Sequence, residues 1–191
     1  MRRAKQLFIY GQLCFYVGLL ICVIVKPQGL TIDNGFSYYG ILGATIFPYC
    51  FALLGSAYFC WLSARELTRK TWLIYYALRA ASILLVGIAI TPYTAGRIST
   101  NLHETFGGVL FSLQLILSGW FVFRLRFELL TTTLTLLEFA AGIASLIYLA
   151  PKHGYLLESQ TIFQLFFAAL FITALPSIIA IDEDYHAPTR K

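Results

Sequence analysis

Residues 7–26 read LFIYGQLCFYVGLLICVIVK, and this run decides the class of the fold. It holds no acidic residue and meets its first cation only at Lys26. The hydrocarbon core of a bilayer is about 30 Å thick, so a helix rising 1.5 Å per residue needs about 20 mostly apolar residues to cross it. Similar runs follow at roughly 41–63, 72–91, 103–123, 129–150 and 161–181. Polar breaks separate them: Lys26-Pro27-Gln28-Gly29, Arg65-Glu66-Leu67-Thr68-Arg69-Lys70, Thr91-Pro92 through Asn101, Arg124-Leu125-Arg126-Phe127-Glu128, and Pro151-Lys152-His153-Gly154. The chain reads as an all-α polytopic membrane protein. It forms one transmembrane domain of six helices over 1–181, with a short solvated tail over 182–191.

Composition agrees. Of 191 residues, 59% are hydrophobic and 12% charged, where soluble domains are about 45–50% apolar and about 25% charged. The net charge of +5 is no nucleic-acid signal, because the cations sit in the gaps between apolar runs. With the N-terminus inside, Arg2, Arg3, Lys5, Arg65, Arg69, Lys70, Arg124, Arg126, Arg190 and Lys191 fall on the cytoplasmic side, and Lys26, Arg97 and Lys152 outside. That bias predicts both termini in the cytoplasm. The short loops fit a multi-pass protein of a bacterial inner membrane. Met1-Arg2-Arg3-Ala4-Lys5 opens like a signal peptide, but the apolar run is too long and lacks a small-x-small cleavage site, so it reads as an uncleaved span.

Cys14, Cys22, Cys50 and Cys60 lie inside apolar runs without a C-x-x-C pair and read as packing residues. Gly40, Ala44, Ala52 and Ser56, and likewise Ala77 and Ala81, are spaced for close helix approach. Pro48 and Pro176 remove backbone donors and read as packing kinks.

Arg79 and Glu138 are the charges well inside a span. An ionised side chain there costs about 2.5–3.5 kcal/mol on insertion scales, so it is expected to face a partner. Their depths, roughly 10 and 15 Å from the cytoplasmic ends of their helices, predict an interhelical ion pair. Gln12 and Gln114 are expected in the same polar cluster. Such a pair either fixes register or serves a proton-coupled path.

The outer segments bring a second constellation: Asp33, Tyr38, Tyr39, Arg97, His103, Glu104 and Glu158, with Phe36, Tyr38 and Tyr39 expected at headgroup level. Asn34-Gly35 is a turn signal. Asn101 through Glu104 has the form of a capped helix start. His103 and His153 lack metal-site spacing, and the three histidines are too few for a two-haem bundle. No metal or cofactor is expected. Ser37, Ser99 or Ser159 beside His103 would make a nucleophile–base set, although no nucleophile elbow is present.

The Asp33-Asn34-Gly35-Phe36-Ser37-Tyr38-Tyr39-Gly40 segment ahead of the second span and the His103-Glu104 start of the fourth, on six short-looped spans, resemble the DRAM/Frag/Sfk superfamily. The Ser-Asp-x-Gly order common in that family's first outer segment is absent. The resemblance implies a link to lipid organisation or remodelling and carries over no catalytic residues. The first functional expectation is therefore a non-enzymatic protein that binds a lipid headgroup, or a partner membrane protein, at its outer face. The alternatives are a small proton-coupled transporter using Glu138 and Arg79, and a lipid-modifying enzyme using His103.

Overall fold

The computed structural model describes residues 2–31, 35–67, 71–148 and 155–184. Among these, α1 (Arg2–Val25) is followed by two 3-10 segments, Pro27–Thr31 and Gly35–Ile41. Then come α2 (Ile46–Arg65), α3 (Trp72–Ile90), α4 (Arg97–Arg124), α5 (Leu129–Tyr148) and α6 (Leu156–Asp184). The described residues contain no strand. All six α-helices are long and apolar enough to cross a membrane. Only structures that satisfy their own backbone polar groups survive in lipid, and a helix does so within one segment.

The surface is inside-out by the standards of water. Leu13, Val17, Leu20 and Ile24 face outward on α1, as do Leu136, Ile143, Leu146 and Ile147 on α5. The interior holds small and polar side chains along with apolar ones, as expected where lipid offers helices no hydrophobic drive to associate and close packing decides.

Helices α1 and α2 form the tightest seam. A Cβ on Gly18 would stand 2.6 Å from the Pro48 carbonyl oxygen and 2.7 Å from the Ala52 Cβ, so only a hydrogen fits there. The Ser56 hydroxyl lies 2.9 Å from the Gly11 carbonyl and 2.6 Å from its own Ala52 carbonyl, sharing its proton between them. Ser63 donates to the Ala4 carbonyl at 2.8 Å. These contacts make the two helices antiparallel.

Helix α6 is the most enclosed of the six and packs against α5, α4 and α1. Phe171 stacks on Phe8 at 4.0 Å and meets the edge of Phe121 at 5.9 Å. The Phe8 contact sets the start of α1 beside the second half of α6. Both therefore lie at one end of the bundle, here the terminal end. The 3-10 segments and the starts of α4 and α6 share the opposite, loop end.

Two boundaries differ from the sequence expectation. Helix α2 begins at Ile46 rather than near 41, because Gly35–Ile41 winds as a 3-10 helix and Thr45 donates its hydroxyl to the Tyr39 carbonyl at 2.7 Å. Gly40 and Ala44 thus precede the helix and do not extend the small-residue row of Ala52 and Ser56. Pro48 then falls in the first turn, where its missing N–H costs nothing. Helix α4 begins at Arg97 rather than 103, after Gly96 at φ 116°, a backbone region open to glycine. Ser99 donates to the Pro92 carbonyl at 2.7 Å and Thr100 to that of Tyr93, tying the first turn to the preceding loop. Asn101 and Glu104 lie inside the helix, so the expected capping box does not form.

Candidate functional site

The expected Arg79–Glu138 ion pair does not form. Helix α3 packs against α2 and α4, whereas α5 packs against α6 and α4, so the two charges face different neighbours. The Arg79 guanidinium lies 3.5 Å from the centre of the Trp61 ring on α2. It also donates to the Tyr75 hydroxyl one turn earlier, at 2.8 Å from Nη2 and 3.2 Å from Nε. An aromatic face and a phenol oxygen give this cation a partner without a carboxylate.

Glu138 is fully enclosed on α5, in a stripe with Thr131, Thr135, Gly142 and Ser145. Ser118 of α4 donates to its Oε2 at 2.6 Å. Among the described residues its Oε1 has no partner, nor has the hydroxyl of Thr135 one turn away. Gln12 and Gln114 do meet, but through Gln164 instead of Arg79 and Glu138. Gln114 Nε2 donates to Gln164 Oε1 at 2.8 Å, and Gln164 Nε2 donates to Gln12 Oε1 at 3.0 Å. This amide ladder joins α4, α6 and α1. Gln164 carried the same signal as the other two, an amide inside an apolar run, and was missed.

The loop end gathers most of the second constellation. His103 is buried, with Nδ1 2.7 Å from the Thr91 carbonyl and Nε2 2.7 Å from the Ser37 hydroxyl. A carbonyl only accepts, so Nδ1 carries the proton, and in the neutral ring Nε2 accepts from Ser37. The Tyr93 ring meets the imidazole edge-on at 5.9 Å. Burial, followed by the negative charge of the exposed Glu104, holds the Tyr93 phenol above its usual 10.0.

Tyr39 corrects the headgroup-belt expectation, because it is fully buried. Its hydroxyl lies against Gly29 of the first 3-10 segment and has no hydrogen-bond partner among the described residues. Burial first, with smaller pushes that include the negative charge of Glu158, raises this phenol to about 12. It therefore keeps its proton at every physiological pH. Glu158 sits in the first turn of α6, a favourable place for an anion, and its Oε2 is also enclosed without a partner among the described residues. Tyr38 is half-buried and crosses Tyr39 at 5.6 Å, and Arg97 is exposed at the start of α4. Asp33 and His153 lie outside the described residues.

A cleft of about 280 Å³ opens at the terminal end, between α1 and α2, lined by Arg3, Leu7, Leu62, Arg65 and Glu66. Arg3 Nε lies 3.5 Å from Glu66 there. Among the described residues no three of His, Cys, Asp and Glu gather as a metal site, and all four cysteines are free thiols.

Compared with known protein families, curated proteins and solved structures, the chain matches none. The reading of its function rests on the residues themselves.

Proposed function

We propose that this integral membrane protein binds an amine-bearing lipid headgroup at its loop end, and that this end faces away from the cytoplasm. The carrying observation is the pair of orphaned groups: Glu158 Oε2 and the Tyr39 hydroxyl, both enclosed and both without a hydrogen-bond partner among the described residues. A buried polar atom without a partner costs about 1–3 kcal/mol, more when charged, and calls for a water, an ion or a ligand. An ammonium group suits this place, because it supplies up to three donors and a charge opposite to that of Glu158. Arg97, exposed at the same end, offers a bidentate fork for a headgroup phosphate. The location in a bacterial inner membrane and the kinship with the DRAM/Frag/Sfk superfamily belong to the same proposal.

The test is the melting temperature of the full chain in detergent, titrated with phosphatidylethanolamine, phosphatidylcholine or phosphatidylglycerol. A ligand at 100 times its Kd adds about 2.7 kcal/mol. Phosphatidylethanolamine should raise Tm most in the wild type and lose that advantage in Glu158→Gln. Equal shifts from all three lipids, or an unaltered response in Glu158→Gln, would sink the reading and leave a partner protein as the occupant.

One observation favours a second reading, a proton-coupled carrier. Glu138 Oε1 and the Thr135 hydroxyl are both enclosed and unpartnered on the inner stripe of α5. In liposomes a pH gradient should then collapse faster with the wild type than with Glu138→Gln. Identical rates would remove this reading.

A further inference from the structure

We propose that Ser37 is a nucleophile, activated by His103, that takes the acyl group from a carboxylic ester of a membrane lipid. The inference rests on the loop end being a lipid site, and adds chemistry to it. An ordinary serine hydroxyl is a weak nucleophile. It becomes an effective one when a base within hydrogen-bond reach accepts its proton and a third group orients that base. All three parts are present. Ser37 Oγ is 2.7 Å from His103 Nε2, and His103 Nδ1 is 2.7 Å from the Thr91 carbonyl. The carbonyl fixes the tautomer that leaves a lone pair toward Ser37.

The placement also suits the task. His103 is buried while Ser37 is half-buried, so the base is shielded and the nucleophile is the outer member. The backbone just before Ser37 is pinned, because the Phe36 N–H donates to Gln160 Oε1 of α6 at 3.2 Å. The Tyr93 ring closes one side of the imidazole. The set draws on three separate parts of the chain: the second 3-10 segment, the end of α3 and the first turns of α4. A purely structural tie needs only one hydrogen bond to hold the loop. Here both ring nitrogens are engaged, with the polarity that general-base catalysis uses.

The step balances. Ser37 Oγ attacks the ester carbonyl carbon and its proton passes to His103 Nε2. The bond from that carbon to the alcohol oxygen breaks, and the alcohol leaves with the proton from Nε2. Water then attacks the acyl-serine by the same shuttle, releasing the fatty acid and restoring Ser37. The orienting group is a neutral carbonyl rather than a carboxylate. It holds the ring but adds no full charge to offset the imidazolium, so turnover is expected to be slow beside that of a full triad.

The test uses the full chain in lipid nanodiscs with a biotinylated fluorophosphonate, which phosphonylates activated serines without needing a lipid headgroup. Wild type should be labelled at Ser37, as mapped by mass spectrometry, and Ser37→Ala should not. His103→Gln should lower the labelling rate by about 100-fold or more, within the range a general base supplies. Absence of label from protein with an intact melting transition would overturn the proposal, as would equal label in Ser37→Ala. Should His103→Gln not fold, Ser37→Cys in the wild-type background decides. A His-paired thiol reacts with iodoacetamide at pH 7 at least 10-fold faster than glutathione, and a slower reaction would overturn the proposal. The labelling reports the dyad and the headgroup titration reports the lipid site, so either can fail without the other.

Discussion

The seam between α1 and α2 and the seam around α5 are built from similar residues to opposite effect. Both use small polar residues and glycine inside the membrane, serine in the first and serine with threonine in the second. In the first, every contact closes: Gly18 lets the helices touch, and Ser56 and Ser63 give their protons to carbonyls of α1. In the second, Ser118 and Glu138 make one bond, and Glu138 Oε1 and the Thr135 hydroxyl stay open. Small polar residues in lipid thus do two things. Spent on backbone carbonyls, they lock a packing register. Spent on one another, they leave unmet capacity, which is where a proton, water or ligand can act.

Substitutions that crowd the first seam should break the comparison most severely. Gly18→Val drives side-chain atoms into the Pro48 carbonyl and Ala52. Overpacking of this kind costs about 1–3 kcal/mol or more, and here the obstacle is backbone. Gly108, whose added Cβ would meet nothing within 4 Å, is the control. Gly108→Ala should leave stability unchanged or gain about 1 kcal/mol from helix propensity. The melting temperature of Gly18→Val should fall well below the wild type and that of Gly108→Ala should not, and a tolerated Gly18→Val would refute the close seam.

The second seam should respond more mildly and in a particular pattern. Ser118→Ala leaves both oxygens of Glu138 unpartnered and should cost about 1–3 kcal/mol. Adding Glu138→Leu removes the orphan and should restore most of that loss, since apolar replacement of both partners is often close to neutral. If the double variant is no more stable than Ser118→Ala, the carboxyl has contacts other than those described.

The smallest effect lies just outside this seam, at Glu128. Its carboxylate accepts from the Thr131 hydroxyl and from the Thr131 N–H at 3.0 Å, and thereby starts α5. These bonds, the hydroxyl's first, hold its pKa below the usual 4.5. A lowered folded pKa gives stability that is complete above the unfolded value and fades as pH falls through the folded one. Wild-type Tm should therefore stay level from neutral pH to about pH 5 and drop below it, while Glu128→Gln starts lower and drops less. Parallel curves for the two would show that the cap contributes nothing.

Much of the fold was legible because lipid demands long apolar runs, and a run such as 129–150 announces its helix by length alone. The ends of helices were less legible. At Arg97 the signal lay in Gly96 and in hydroxyl bonds back to Pro92 and Tyr93, which no hydropathy pattern encodes. A residue's position along its helix was readable too, but rotation about the helix axis was not. Arg79 and Glu138 were placed at compatible depths and still point to different neighbours, because pairing needs adjacent helices as well as equal height. Rotation is set by the packed face, and for α5 the row Thr131, Thr135, Glu138, Gly142 shows it at i, i+4, i+7 and i+11 spacing. At the loop end, Ser37 was one of three serines considered beside His103. The choice among them depended on a 3-10 turn that the aromatic run in Phe36-Ser37-Tyr38-Tyr39 did not reveal.

The amide ladder has a consequence for how the chain is made. Gln164 donates to Gln12 across 152 positions of sequence. Its helix leaves the ribosome after the other five, yet it is the most enclosed of the six. At about 5–20 residues per second, Gln12 waits on the order of ten seconds in the bilayer before its partner is synthesised. Until then the amides of α1 and α4 need another host, such as lipid carbonyls, water or the insertion machinery. The middle of the bundle is thus filled by the sixth of these helices, and a ribosome that stalls before α6 strands two unsatisfied helices in the membrane.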